Sequence, residues 1–175
     1  MSNIIFKRTS VRKYTTEPVS KENIELLLKA GMAAPSAMNI QPWEFIVVEA
    51  RENLNKIMEI HPYSAMLKEA PLAIVVCADI EKTAYEGFSE KKYWVQDCSA
   101  ATQNIMLQAA ELNLGSVWLG TYPKEEVYKP ISELFKLPSN VIPITIIAIG
   151  HPDGEVLPKD KFDSNKIHYE SWGVL

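Results

Sequence analysis

The stretch APSAMNIQPWEFIVV, residues 34–48, passes from loop chemistry into strand chemistry. Pro35 and Pro42 interrupt any helix entering from the left, and Ser36 and Asn39 are turn formers that satisfy nearby backbone groups. Phe45, Ile46, Val47 and Val48 then supply the β-branched and aromatic side chains of a strand over residues 44–48. Upstream, Ile24, Leu27, Leu28 and Met32 recur at helical spacing, which predicts a helix over residues 21–32. Ser20 is its expected N-cap, Pro18 a breaker before it, and Gly31 with Pro35 its expected end. A first short helix is expected over residues 3–7.

Downstream, Leu54, Ile57 and Met58 mark one side of a helix near residues 52–60. A loop or broken helix follows from His61. Residues 72–78 are continuously apolar and read as a buried strand. The polar stretch 82–91 reads as an excursion over the surface. A long helix is expected over residues 93–112, with Val95, Ser99, Thr102, Met106 and Ala109 on one side and apolar or small residues elsewhere, as in a central or interface helix. Gly115 is expected to end that region through left-handed geometry. A short strand at 116–119, an amphipathic helix at 125–135 with Val127, Ile131 and Leu134 inward, and a strand at 141–149 complete the pattern. Strands and helices alternate only in part, so the fold class is α+β, with helices packed around a mixed sheet. Neither a repeat nor a linker appears, so residues 1–175 read as one domain. The tail beyond Gly150 is polar yet carries Phe162, Tyr169 and Trp172, which suggests docking on a second subunit or back on the same domain.

Composition narrows the function. The net charge is −4, which argues against a general nucleic-acid binder. No apolar run has the length of a bilayer span, so no membrane partner is expected. The start MSNIIFKRTSVRKY lacks the features of a secretory signal, and a cytoplasmic location is the expectation. Positive charge gathers at Lys7, Arg8, Arg12 and Lys13. In isolation that cluster is either a solvated helix end or the seat of a small anion. Cys77 reads as a small buried hydrophobe within an apolar strand, and a disulfide with Cys98 is not expected.

Several chemistries lack their motifs. No three of Gly31, Gly87, Gly115, Gly120, Gly150, Gly154 and Gly173 have the spacing of a dinucleotide-binding turn or a P-loop. No His-Glu-x-x-His or Gly-x-Ser-x-Gly occurs. His61, His151 and His168 lie apart and read as loop residues. No metal site is expected, and no catalytic side chain stands out.

Four segments in series change the reading: RTSVRKY at 8–14, APSAMNIQPWEFIVV at 34–48, the run DCSAATQNIMLQAAELNLGSVWLG at 97–120, and IGHPDGEVLPKDKF at 149–162. In this order and spacing they resemble the nitroreductase family of flavin mononucleotide (FMN) enzymes, over nearly the whole chain. The Pro-Ser-x-x-Asn-x-Gln-Pro-Trp stretch is the most specific of them. The resemblance implies a mainly antiparallel central sheet flanked by helices and a homodimer with FMN at the interface.

It also implies a binding set. Arg8, Thr9, Ser10 and Arg12 would hold the FMN phosphate, and a late Lys161 would close that site. Arg8 and Arg12 stand four apart, so on a helical turn they would share a side. An arginine fork suits phosphate oxygens, whereas Lys161 offers a point charge. Thr9 stands where many relatives have another arginine. Pro35, Ser36, Ala37, Met38 and Asn39 would shelter the isoalloxazine ring of the flavin held mainly by the other subunit. Backbone at Leu119 and Gly120 would face that ring. Trp43 and Trp118 read as packing residues. Gln103 and Asn104 are open between an interface and an inward role toward the flavin.

The activity so implied transfers electrons from NADH or NADPH through FMN to a nitroaromatic, a quinone or another electron-poor small molecule, with ping-pong kinetics. Two alternatives keep the fold. One is a flavoprotein with a dedicated substrate, dehalogenating or flavin-fragmenting. The other is a flavin-binding protein without turnover.

Overall fold

A computed structural model describes residues 3–83 and 92–173. The elements in chain order are α1 (Ile4–Lys7), α2 (Lys21–Met32), β1 (Trp43–Val48), α3 (Arg51–Ile60), β2 (Leu72–Asp79), α4 (Tyr93–Glu111), β3 (Gly115–Gly120), α5 (Glu125–Leu134) and β4 (Val141–Gly150). The strands form one sheet in the order β1-β2-β4-β3, antiparallel at every pairing. The only parallel bridge among the described residues joins Ser10 to Ser116 on the outer edge of β3.

The apolar run of β2 is explained by its place. It lies between β1 and β4, and helices cover both faces of the sheet. Leu72, Ile74, Val76 and Ala78 pack on one side with Ile105 and Ala109 of α4 and with Leu27 of α2. Ala73, Val75 and Cys77 pack on the other with Leu54 and Ile57 of α3 and Ile131 of α5. This alternation is the period-two geometry of a strand, here apolar on both faces. Cys77 and Cys98 are buried and free, and burial pushes the Cys77 thiol up to about 12.

The Ser20 hydroxyl caps α2 by accepting from the Asn23 N–H at 3.1 Å. Ile24, Leu27 and Gly31 form its buried side, while Met32 is exposed. Gly31 therefore does not end the helix. A β-carbon there would stand 3.0 Å from Ile105 Cδ1, so glycine lets α2 approach α4. The inward side of α4 also differs from expectation. Trp94, Cys98, Ala101, Ile105 and Ala109 are buried, with Asp97, Thr102 and Met106 beside them, while Val95 and Ser99 are only half-buried. A helix apolar nearly all round contains several stripes of 3.6-residue spacing, and packing on both α2 and the sheet selects among them.

Gly115 is a further correction. The left-handed residue after α4 is Asn113, at φ 57°. Gly115 instead opens β3 and accommodates Val11, whose Cγ1 would lie 2.7 Å from a β-carbon at that position. The expected excursion at 82–91 falls mostly outside the described residues.

Candidate flavin site

Past Lys7 the chain is no longer helical, so the shared helical face expected for Arg8 and Arg12 does not exist. Ser10 and Val11 instead lie against the edge of β3, and by Tyr14 the chain bridges to Pro152, just past β4. The Val11 N–H donates to the Ser116 carbonyl at 3.0 Å. The buried Tyr14 hydroxyl donates to the Val11 carbonyl at 2.6 Å, and burial pushes that phenol well above its usual range. The N–H of Thr15 donates to the His151 carbonyl and that of Asp153 to the Lys13 carbonyl. These bonds tie the start of the tail to the amino-terminal segment.

Four clefts border this segment. One, of about 500 Å³, is lined by Lys7, Thr9 and Val11 with Asn113 and Leu114 past α4. The other three have Arg8, Arg12, Lys161 and Gly120 in their walls. The first, about 500 Å³, is lined by Arg8, Lys159 and Lys161 with Ile5, Phe6 and Phe162, and by Asp160. The second is lined by Thr9, Ser10, Arg12 and Lys13 and, from the tail, by Pro152, Asp153, Glu155 and Lys159 among others. The third is lined by Arg12, His61, Tyr63, Trp118, Leu119, Gly120, Tyr122 and Lys124, without a carboxylate. Lys159 lines the first and second, and Arg12 the second and third. Cations therefore line both ends of this run, Arg8, Lys159 and Lys161 at the first cleft and Arg12 and Lys124 at the third, and the third adds strand backbone.

The register explains why that backbone is available. The Thr121 N–H donates to the Ile144 carbonyl at 3.2 Å, so position 121 is bonded across to β4. Bonded and non-bonded positions alternate in an antiparallel ladder. Gly120 is then a non-bonded position, and its N–H and C=O point away from β4. Two side chains confirm the directions. The Val11 N–H meets the Ser116 carbonyl on this same outer edge. A His61 ring nitrogen, Nε2, lies 3.0 Å from the Gly120 carbonyl oxygen. The Thr145 hydroxyl donates to the Leu119 carbonyl on the inner side at 2.9 Å. Being free of a side chain, Gly120 leaves this edge open, with no atom closer than 3.9 Å to a β-carbon there.

The loop at residues 35–41 has a different place. None of the three clefts is lined by Pro35, Ser36, Ala37, Met38 or Asn39. Met38, Asn39 and Gln41 all have left-handed backbone, at φ 53°, 55° and 53°. For residues other than glycine and asparagine that conformation is strained and must be held by its surroundings. The Gln41 N–H donates to the Ser36 hydroxyl at 3.0 Å, and the Gln41 amide donates to Asn39 Oδ1 at 2.9 Å. The Ala37 N–H donates to the carboxylate of Asp97 on α4 at 2.9 Å. Burial raises the Asp97 pKa above the usual carboxylate range, and the Ala37 N–H offsets this only in part.

Four residues gain places that their sequence reading lacked. His61 is buried, not a free loop residue. It extends the stripe Leu54, Ile57 by one turn past the helix, which is the signal that marks it. Trp118 is 37% exposed and lines the third cleft, so it is not a core residue. Lys159 joins Lys161 at the first cleft. Asn104 donates to the Ala30 carbonyl at 3.1 Å near the end of α2, which uses it within the chain. Gln103 is exposed.

An α/β/α sandwich with a run of cation-lined clefts along the edge of its outer strand presents a seat for an anionic ligand. The model of the nitroreductase family matches residues 5–61 and 58–151. A protein of Methanothermobacter thermautotrophicus named "Putative NADH dehydrogenase/NAD(P)H nitroreductase" is 48% identical over 94% of this chain and 84% of its own. A solved structure from Clostridium acetobutylicum, described as "Putative NADH Oxidase", is 48% identical with a TM-score of 0.91, covering 97% of this chain and 100% of that one. An FMN-dependent nitroreductase from Clostridium difficile R20291 is 35% identical with a TM-score of 0.88, covering 98% of this chain and 100% of that one. The chain belongs to the nitroreductase family.

Proposed function

We propose that this protein is an FMN-dependent oxidoreductase that uses NADH or NADPH to reduce an electron-poor small molecule such as a nitroaromatic or a quinone. The observation that carries the reading is the run of cation-lined clefts along residues 8–12, which ends at the open strand backbone of Gly120. FMN suits such a run: its phosphate has about two negative charges, and its flat ring has a polar edge for backbone donors and nearby cations.

Arg8 and Lys161, with Lys159, hold the phosphate electrostatically. Thr9 and Ser10 supply hydroxyls between the ends. Arg12 belongs at the junction between the phosphate and ring regions, since it lines the third cleft as well as the second. Gly120 presents backbone to the ring, and its outward N–H is the donor available there, whereas the Leu119 carbonyl is turned inward to Thr145 and Leu119 only lines the cleft. Positive charge and N–H donors at this edge favour a ring that gains electron density. When bound, FMN supplies the hydride and electron chemistry, and the protein supplies orientation and access. The nicotinamide and the acceptor use the same opening in turn, which gives ping-pong kinetics.

The loop of Pro35, Ser36, Ala37, Met38 and Asn39 shelters the ring of the flavin bound by a second copy. Its separation from the three clefts of its own chain supports this arrangement, and a homodimer follows. The test is steady-state turnover of FMN-loaded protein with NADH or NADPH and a panel of nitroaromatics and quinones. Parallel double-reciprocal lines are expected. Failure to oxidise either nicotinamide with any acceptor removes the reductase assignment.

A further inference from the structure

His61 has a duty that its position alone discloses. Its ring is 4% exposed, and both nitrogens are engaged. The Tyr63 backbone N–H, which can only donate, points at Nδ1 from 3.2 Å. Nδ1 is therefore the acceptor and the proton sits on Nε2, which donates to the Gly120 carbonyl at 3.0 Å. A single neutral tautomer satisfies both contacts. The His61 carbonyl in turn accepts from the Ser64 hydroxyl at 2.6 Å, which fixes the turn that carries Tyr63.

The two contacts join two residues that line the third cleft. Gly120 lies on an edge strand, at a non-bonded ladder position and without a side chain. Nothing in the sheet fixes the outward carbonyl of that residue. Tyr63 lines the same cleft, 70% exposed, with the Lys124 ammonium 5.7 Å from its ring centre. The N–H and C=O of one strand residue point the same way. Holding the Gly120 carbonyl therefore aims the Gly120 N–H.

We infer that His61 is a positioning residue: its Nε2–H clamps the Gly120 carbonyl while its Nδ1 holds the Tyr63 turn, so that the Gly120 N–H is aimed into the cleft before the cofactor arrives. The inference rests on the flavin reading for what the N–H meets, but not for the clamp itself. It has no part in the transfer of electrons, and His61 is not expected to touch the substrate.

The test compares His61→Leu, which keeps bulk and removes both nitrogens, with His61→Gln, which keeps an N–H donor. Thermal melts establish that each variant is folded. In flavin-free protein, amide hydrogen exchange at Tyr63 should be at least about tenfold faster in His61→Leu, as expected for one lost hydrogen bond. With FMN, His61→Leu should bind the flavin about tenfold more weakly in a fluorescence titration and be reduced more slowly by NADH in anaerobic stopped flow. His61→Gln should recover flavin affinity and reduction rate to within about threefold of the parent, because it restores the donor to Gly120. A folded His61→Leu with parental exchange at Tyr63 and parental flavin affinity overturns the inference. So does a His61→Gln as impaired toward FMN as His61→Leu, since bulk and not the donor would then be at work. If the parent protein takes up no FMN, the flavin reading falls while the exchange measurement still decides the clamp.

Discussion

A β-carbon at Gly115 would stand 2.7 Å from Val11 Cγ1 and 2.8 Å from Val11 Cβ. Val11 sits between Ser10 and Arg12, so this one contact sets how closely two candidate binding residues lie against the edge of β3. Gly115→Ala should cost about 1–3 kcal/mol, as overpacking of a closed contact does. Urea denaturation measures it. The same alanine introduced beside Val11→Gly should cost less than the sum of the two single changes, because that change removes both the valine methyl and the Cβ it would meet. Additive costs would show that Gly115 serves something other than Val11. The sequence announced a special glycine here, but for backbone freedom, since a glycine after a long helix most often ends it. What it serves is a neighbour more than a hundred residues away in the chain, which no local pattern reports.

Elements with one buried stripe were legible in the residues, and α2, α3 and α5 have the spans expected within a residue or so. The inward side of α4 was not, because small and apolar residues surround it. The loop at residues 35–41 was legible as a loop. Its three left-handed residues were not, since Met38 and Gln41 give no sign of that conformation. Neither was its tether, because Asp97 lies sixty residues away on α4. That tether is testable. The Asp97 pKa is raised in the folded protein, so its proton stabilises the fold below the unfolded carboxylate range. This contribution is lost as pH rises through the raised value. Asp97→Asn keeps an acceptor for the Ala37 N–H and cannot ionise. It should match the parent at acidic pH and exceed it in stability near neutrality. Asp97→Ala leaves that N–H without its acceptor and should cost about 1–3 kcal/mol. Denaturation midpoints over a pH series, with limited proteolysis between Ser36 and Gln41, check both. A parent that gains on Asp97→Asn as pH rises would contradict the sign.

The single chain leaves large apolar side chains uncovered at two places, the amino-terminal helix and the tail. Ile5 and Phe6 border the cationic cleft, and Phe6 is 73% exposed. In the tail, residues 153–162 are all exposed, and Phe162 and Trp172 reach 77% and 90%. Apolar side chains left open at this density mark a surface that another body covers. The separation of residues 35–39 from the clefts of their own chain makes a second copy the body of choice, and two-fold closure is the commonest way to cover one patch with its equal. Light scattering should therefore give about twice the chain mass of 19.7 kDa, with one FMN per chain. Replacing Phe162 and Trp172 together by serine should shift mass toward the monomer and weaken FMN binding in the same samples. The two losses should track each other across protein concentration, because each ring site would be built from two chains. A species that stays monomeric at every concentration while holding a full complement of FMN would show that one chain suffices. In that case the loop at residues 35–39 would need another role.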